Sequence, residues 1–156
     1  MSSVENRLIG VSASRFGWAW MALCVALAVH VADEALTGFL SVYNPVVESV
    51  RERFPHLPIP TFEFGTWLTG LILAILILIA ASPLAFRESR WAVRAGYAFG
   101  MLMLANGLLH IIGSISLGRL LPGVYSAPLL VGCSGYLLST AFRASTRVRR
   151  NDEQSD

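Results

Sequence analysis

The chain has 156 residues, of which 54% are hydrophobic and 14% charged, and its mean hydropathy is +0.59. A water-soluble domain carries about a quarter of its residues as charges, so this composition excludes that class and points to a single membrane domain whose first partner is the lipid bilayer. The net charge is +2 and all 12 basic residues are arginine, with no basic groove of interleaved aromatics, which excludes nucleic acid as a partner.

Gaps between charges set the elements, because crossing a bilayer takes about 20 apolar residues. The chain divides into a cytoplasmic N-terminal segment (1–15), a four-span membrane domain (16–142) and a basic-then-acidic tail (143–156). Span one starts at Phe16 and runs uncharged, apart from His30, to Ala32. Asp33 and Glu34 follow, and apolar character resumes in "ALTGFLSVY". The acids interrupt this helix without ending it, since no Gly or Pro breaker precedes Gly38. A rival reading takes residues 1–28 as a signal peptide cleaved after Ala26-Leu27-Ala28.

The next stretch, "YNPVVESVRERF", reads as a short amphipathic helix lying in the membrane interface, with Asn44 as its cap and Pro45 in its first turn. "PHLPIP" gives a stiff, extended entry to span two. Span two covers 64–86, span three 95–118 and span four 120–142. "LLPGVYSAPLL" reads as a Pro-Gly turn opening span four, with free backbone N–H groups able to face an anionic group. The tail "STRVRRNDEQSD" reads as polar and unstructured.

Even spacing and short connections predict an all-α, four-helix transmembrane bundle of up-down-up-down order. Nine arginines (Arg7, Arg15, Arg87, Arg90, Arg94, Arg143, Arg147, Arg149, Arg150) then share one side, against Arg51, Arg53 and Arg119 on the other. The positive-inside rule puts both termini in the cytoplasm, in the inner, cytoplasmic membrane. Trp18, Trp20, Trp67 and Trp91 fall toward span ends, as in an aromatic belt. Gly96 and Gly100, preceded by Ala92, form a small-residue row that suits close helix packing. Cys24 and Cys133 lie in apolar runs and read as packed thiols.

The polar residues inside the spans carry the functional question. His30 lies 15 residues beyond Arg15 and His110 lies 16 beyond Arg94, which puts them about 22 and 24 Å from the cytoplasmic anchors and at matched depth in the outer half. His30, Asp33, Glu34 and Thr37 share one face of span one, while Asn106, His110 and Ser114 share one face of span three. Glu63 is a further contributor at the outer end of span two. His56, in a proline-rich loop, reads as solvated.

An ionised acid at the bilayer centre costs at least about 2.5–3.5 kcal/mol. Three arrangements offset that cost: a divalent metal held by the acids and imidazoles, a proton relayed among them, or an internal salt bridge with Arg119. In the metal arrangement His30, Glu34 and His110 supply three N/O ligands and leave an open position, the pattern of catalytic zinc. Asp33 or Glu63 then serves as general base or supporting acid, Glu34 acting as ligand or catalytic carboxylate, while Asn106, Ser114 and Thr37 orient a ligand or substrate.

The string His30-Val31-Ala32-Asp33-Glu34 resembles the signature of the HXXEE-domain family, small multi-span membrane proteins without a settled function. "NGLLHIIGSISLGRLLPGVYSAPLL" is similar to that family's second polar segment, with Asn106, His110, Ser114, Pro122 and Gly123 in matching places. The resemblance spans the region from span one to span four. Asp33 departs from the glutamate of the pattern, which makes Glu34 the better ligand candidate. It implies a metal or acid–base site and no particular reaction.

Three functions follow from these arrangements. The first is a metal-dependent membrane enzyme, such as a hydrolase, acting on an apolar or lipid-like substrate and favouring zinc. The second is a proton-coupled transporter of a small molecule or ion, which with four spans needs a homodimer. The third is a structural or partner-binding protein whose polar cluster fixes helix register.

Overall fold

The structure is a computed structural model that describes the backbone of residues 3–153 and the side chains of residues 15–147. All regular structure among the described residues is helical: α1 (Ser3–Thr37), α2 (Phe39–Arg53), α3 (Phe64–Ala80), α4 (Ser82–Phe86), α5 (Arg90–Leu117) and α6 (Ala127–Glu153). Three stretches are long and apolar enough to cross a membrane: Arg15–Thr37, Phe64–Phe86 and Arg90–Leu117. The part of α6 that overlaps the expected fourth span is diluted by Gly132, Ser134, Gly135, Ser139 and Thr140 and falls short of that apolarity.

Helix α1 runs through Asp33 and Glu34, as the sequence predicts, and ends at Gly38, which adopts the left-handed conformation at φ 79°. The amphipathic helix differs from expectation. It starts at Phe39, so Asn44 is not its cap and Pro45 lies inside it. Gly38 alone redirects the chain, and Asn44 is occupied elsewhere. Its amide nitrogen donates to the Phe62 carbonyl at 2.9 Å and its oxygen accepts from the Phe62 N–H at 3.2 Å. Tyr43 donates to Pro60 and Arg51 to Ile59, so the non-helical segment 54–63 is strapped along α2.

Span two is split: α3 gives way at Ala81, and Pro83, lacking an N–H, sits in the first turn of α4. Ser89 then caps α5, its hydroxyl accepting from the Ala92 N–H at 3.2 Å. Gly118 closes α5 in the left-handed conformation. The expected start of span four at Leu120 is corrected, because residues 118–126 are non-helical and α6 begins only at Ala127. The tail also differs, since α6 continues helically to Glu153 instead of ending near Phe142.

The core forms where α1, α5 and α6 meet. Phe16, Leu23, Cys24, Leu130 and Leu137 are fully buried there, and Val93, Phe99 and Met103 of α5 close over them. Cys133 is half-buried at its edge. Half of the α1 membrane-length stretch is buried but only 11% of that in α3, so α1 is the hub and α3 lies at the periphery. Trp20 belongs to this core and not to an aromatic belt. It is 2% exposed, and its indole N–H donates to the Leu78 carbonyl at 2.9 Å, tying α3 to α1. Trp18 and Trp91 are exposed, with the Arg94 guanidinium 5.5 Å from the Trp91 ring centroid.

The outer surface is apolar over long stretches: Leu73, Leu76 and Ile77 on α3, and Leu102, Leu109, Ile112 and Ile115 on α5. A water-soluble monomer does not present such area, whereas hydrocarbon accepts it. Buried hydroxyls suit the same solvent because they bond within their own helix. Ser134 donates to Leu130 at 2.7 Å and Thr140 to Leu137 at 2.9 Å.

The small-residue row of α5 is a packing groove. A Cβ on Gly96 would lie 2.9 Å from the Phe16 ring, and one on Gly100 2.9 Å from Leu138. Gly107, two helical turns further, would place a Cβ 2.8 Å from Val131 and 3.1 Å from the Ala127 carbonyl. The last contact is backbone and cannot swing aside. Gly107→Ala is therefore expected to destabilise the protein by about 1–3 kcal/mol through overpacking, read as a lower unfolding temperature in detergent, while Gly132→Ala, where a Cβ meets no atom within 4 Å, leaves it unchanged or higher.

Candidate metal centre

His30 and Glu34 stand one turn apart on α1, and His110 comes from α5. The three meet. The Glu34 Oε1 lies 3.0 Å from His110 Nε2 and 3.6 Å from His30 Nε2. The two imidazoles pack edge to face with centroids 4.9 Å apart. The side chains of His30, Glu34 and His110 are 1%, 6% and 11% exposed, so the meeting point is shielded from solvent and lipid alike.

Asp33 is one residue before Glu34 and does different work. Its Oδ2 accepts the Ser126 backbone N–H at 2.9 Å and the Ser126 hydroxyl at 2.8 Å. Ser126 immediately precedes Ala127, the first residue of α6, so a carboxylate from α1 terminates another helix at its positive end. The anion that the free N–H groups of this turn were expected to hold is therefore the chain's own Asp33. Arg119 is exposed, and the acids inside the span are compensated by this helix start and by the imidazoles rather than by a guanidinium.

The same serine reaches His30. Ser126 Oγ lies 2.8 Å from His30 Nδ1. With its one proton donated to Asp33, the hydroxyl oxygen is free to accept from Nδ1. Asn106 Oδ1 stands 3.1 Å from that same Nε2. His30 Nε2, Asn106 Oδ1 and Glu34 Oε1 thus converge beside His110, a place that suits a shared proton or a cation.

Geometry says which species the set can take. A tetrahedral ion with ligands at about 2.1 Å has ligand–ligand edges of about 3.4 Å. The 3.0 and 3.6 Å edges bracket that value, and one donor atom from each of His30, Glu34 and His110 lies within 4.8 Å of the others. The Asp33–Ser126–His30 chain holds the His30 ring in place, the kind of outer support that ligating histidines have. These three residues can hold a metal ion.

Gly123 makes room for the cluster. Its φ is +83°, and a Cβ there would lie 2.9 Å from His110 Cε1 and 3.0 Å from Glu34 Cγ. The Phe39 ring, at the start of α2, sits 5.9 Å from His110 and itself stacks on Tyr43 of α2 and Trp67 of α3.

The other residues named from the sequence take different places. Asn106 faces His30 rather than His110. Ser114 is buried, and its hydroxyl accepts the Leu121 N–H at 3.0 Å, which secures the turn between α5 and α6. Thr37 is exposed and its hydroxyl donates to the Asp33 carbonyl at 2.6 Å, within α1. Glu63 is exposed at the start of α3, where its carbonyl accepts from Trp67, and it does not join the cluster. His56 is exposed in the strap. Ser126, Gly123 and Phe39 are the participants that side-chain chemistry in the sequence does not single out. Ser126 did leave one signal, a serine directly before a helix with Pro128 at its second position.

Two substitutions test this geometry without touching a ligand. Ser126→Ala leaves Asp33 and His30 each short of a partner and is expected to cost about 1–3 kcal/mol; Ser139→Ala, an exposed hydroxyl bonded within its own helix, should stay within about 0.5 kcal/mol. Gly123→Ala combines positive-φ strain with a clash against His110 and is expected to cost about 1–3 kcal/mol. Thermal unfolding of the three variants in one detergent ranks them.

A family model described as a protein of unknown function with HXXEE motif matches residues 20–137, a stretch containing all three clustered side chains and their Asp33–Ser126 support. No curated protein and no solved structure matches the chain. The match covers most of the chain, and with the signature histidine and glutamate found together in the buried cluster, the protein belongs to the HXXEE family.

Proposed function

We propose that this chain is an integral membrane protein that binds one divalent transition metal through His30, Glu34 and His110 and uses it as an enzyme on an apolar or lipid-like substrate. The observation that carries the reading is the convergence of three N/O donors at metal-compatible spacing, with the far nitrogen of His30 tied to Ser126 and Asp33. Two imidazoles and one carboxylate suit zinc, and three protein ligands leave a position open, as catalytic sites do. A bound divalent cation there supplies Lewis acidity and an acidified water, the chemistry of a hydrolase.

The chain's own residues do the rest. Asp33, through Ser126, keeps the proton of His30 on Nδ1 and its Nε2 free. Asn106 presents a polar group beside the open side, where it can orient a substrate. Phe39, Tyr43 and Trp67 roof the site with apolar rings, which excludes bulk water and accepts a lipid-like chain. Glu34 lies on both imidazoles and serves as ligand or as proton acceptor.

We place α6 as the fourth span. It packs against α5 and α1 and bonds its buried hydroxyls internally, so its lower apolarity is no bar to a position in the bilayer. Alternating order and the nine-to-three division of arginines then put both termini in the cytoplasm, in an inner, cytoplasmic membrane, with the site in the outer half. A reporter enzyme active only in the cytoplasm, fused after Asp156, should be active; activity only from a periplasmic reporter would reverse the orientation.

One observation favours a second reading. Asp33, Ser126, His30, Glu34 and His110 form a continuous chain of hydrogen-bonding groups, the form a proton relay takes in a coupled transporter built from two copies of the chain. Metal content separates the two. Full-length protein purified without chelator is expected to carry about one zinc per chain, the count set by a single three-ligand site. His30→Ala and His110→Ala should abolish the metal, Ser126→Ala should weaken binding about 10–100-fold, and His56→Ala should leave it unchanged. Metal-free wild-type protein that takes up no zinc in titration, yet moves protons across proteoliposomes, would replace the enzyme reading with the relay.

A further inference from the structure

Far along the chain from the His/Glu cluster, the structure forms a cleft lined by Arg15 of α1 and by Thr140, Arg143 and Arg147 of α6. Its volume is about 380 Å³, counting the space open at its mouth. On α6 the three residues follow at i, i+3 and i+7, so they stand on one face and aim at the same space as Arg15. Like charges are gathered here at a cost unless an anion joins them.

The charges lining the cleft do not balance. Glu88, from the turn before α5, pairs with Arg147 at 2.9 Å, and it is the one acid in a salt bridge with these arginines among the described residues. Among the described residues, three guanidiniums stand against one carboxylate, an excess of two positive charges. Arg147 shows the deficit directly: with its terminal nitrogen on Glu88, its Nε is buried without a hydrogen-bond partner. Thr140 sends its hydroxyl proton back to its own helix, so the arginines supply the donors in the cleft.

We propose that this cleft binds a phosphate-bearing anion, and that its source is the headgroup of an anionic phospholipid. Guanidinium forks match phosphate oxygens two at a time, which a point-charge lysine does not, and every basic residue of this chain is arginine. The position fits a lipid. Arg15 begins the membrane-length stretch of α1 and Arg143 follows the last apolar residues of α6, so the cleft lies at the level where headgroup phosphates lie. The inference does not rest on the metal site, which is reached from the other end of α1.

The test is native mass spectrometry of the full chain released from neutral detergent after incubation with equimolar phosphatidylglycerol and phosphatidylcholine. Wild-type protein should retain one phosphatidylglycerol in preference to phosphatidylcholine, and the double variant Arg15→Gln/Arg143→Gln should lose that preference by about tenfold or more, as expected for two arginines removed from an anionic lipid site. Arg119→Gln, remote from the cleft, should keep it. If the glutamine variant does not fold, Arg15→Lys/Arg143→Lys keeps the charge and loses the fork, and should still bind more weakly than wild type. A parallel arm adds inorganic phosphate: retention of phosphate with no lipid preference assigns the cleft to a free phosphate anion. Equal retention of both lipids with no phosphate bound, or a preference that both double variants keep in full, overturns the proposal.

Discussion

Two adjacent carboxylates inside an apolar helix are the constraint around which this protein is arranged. Each is compensated by a different device. Asp33 is drawn to the positive end of α6 and takes both polar hydrogens of Ser126, while Glu34 lies between two imidazoles. Adjacent positions on a helix point about 100° apart, so two neighbouring acids naturally serve two neighbouring tasks. One joins helices together, and the other faces the imidazoles. Ser126 links them, because the hydroxyl that satisfies Asp33 also bonds Nδ1 of His30.

Close backbone approach makes this possible. Glycines of α5 admit Phe16, Leu138 and Val131, and so bring α1 and α6 against α5 along its length. At the end of that seam Gly123 lets the turn before α6 pass beside His110 and Glu34, where any side chain would collide. The packing groove and the polar cluster are consecutive parts of one interface. The exposed surfaces of α3 and the outer side of α5 carry none of this precision and are simply apolar.

Much of this was legible in the sequence, for physical reasons that also explain the gaps. Hydropathy marks the three long apolar helices, and counting from Arg15 and Arg94 places His30 and His110 at one depth, which their meeting bears out. The 3.6-residue period puts His30 and Glu34 on one face. What failed depends on tertiary partners. Asn44 and Pro45 have the local chemistry of a helix start, yet Asn44 is spent on Phe62 and Gly38 makes the turn. Trp20 looks like an interfacial residue until its indole finds the Leu78 carbonyl. Ser126 looks like part of a turn because its importance comes from Asp33, 93 residues earlier. Glu63 and Thr37 have suitable side chains at suitable depth but face away from the cluster, and only coordinates reveal that.

The central claim is that His30 holds its proton on Nδ1 and offers Nε2, together with His110 and Glu34, to one cation. Nitrogen-15 spectra of histidine-labelled protein during a zinc titration address it directly, because the two ring nitrogens report tautomer and ligation separately and exposed His56 serves as an internal reference. The account predicts that His30 and His110 shift together and saturate at about one equivalent, the stoichiometry of a single three-ligand site, with His30 Nδ1 protonated throughout. Spectra in which zinc moves only His56, or in which His30 carries its proton on Nε2, would contradict it.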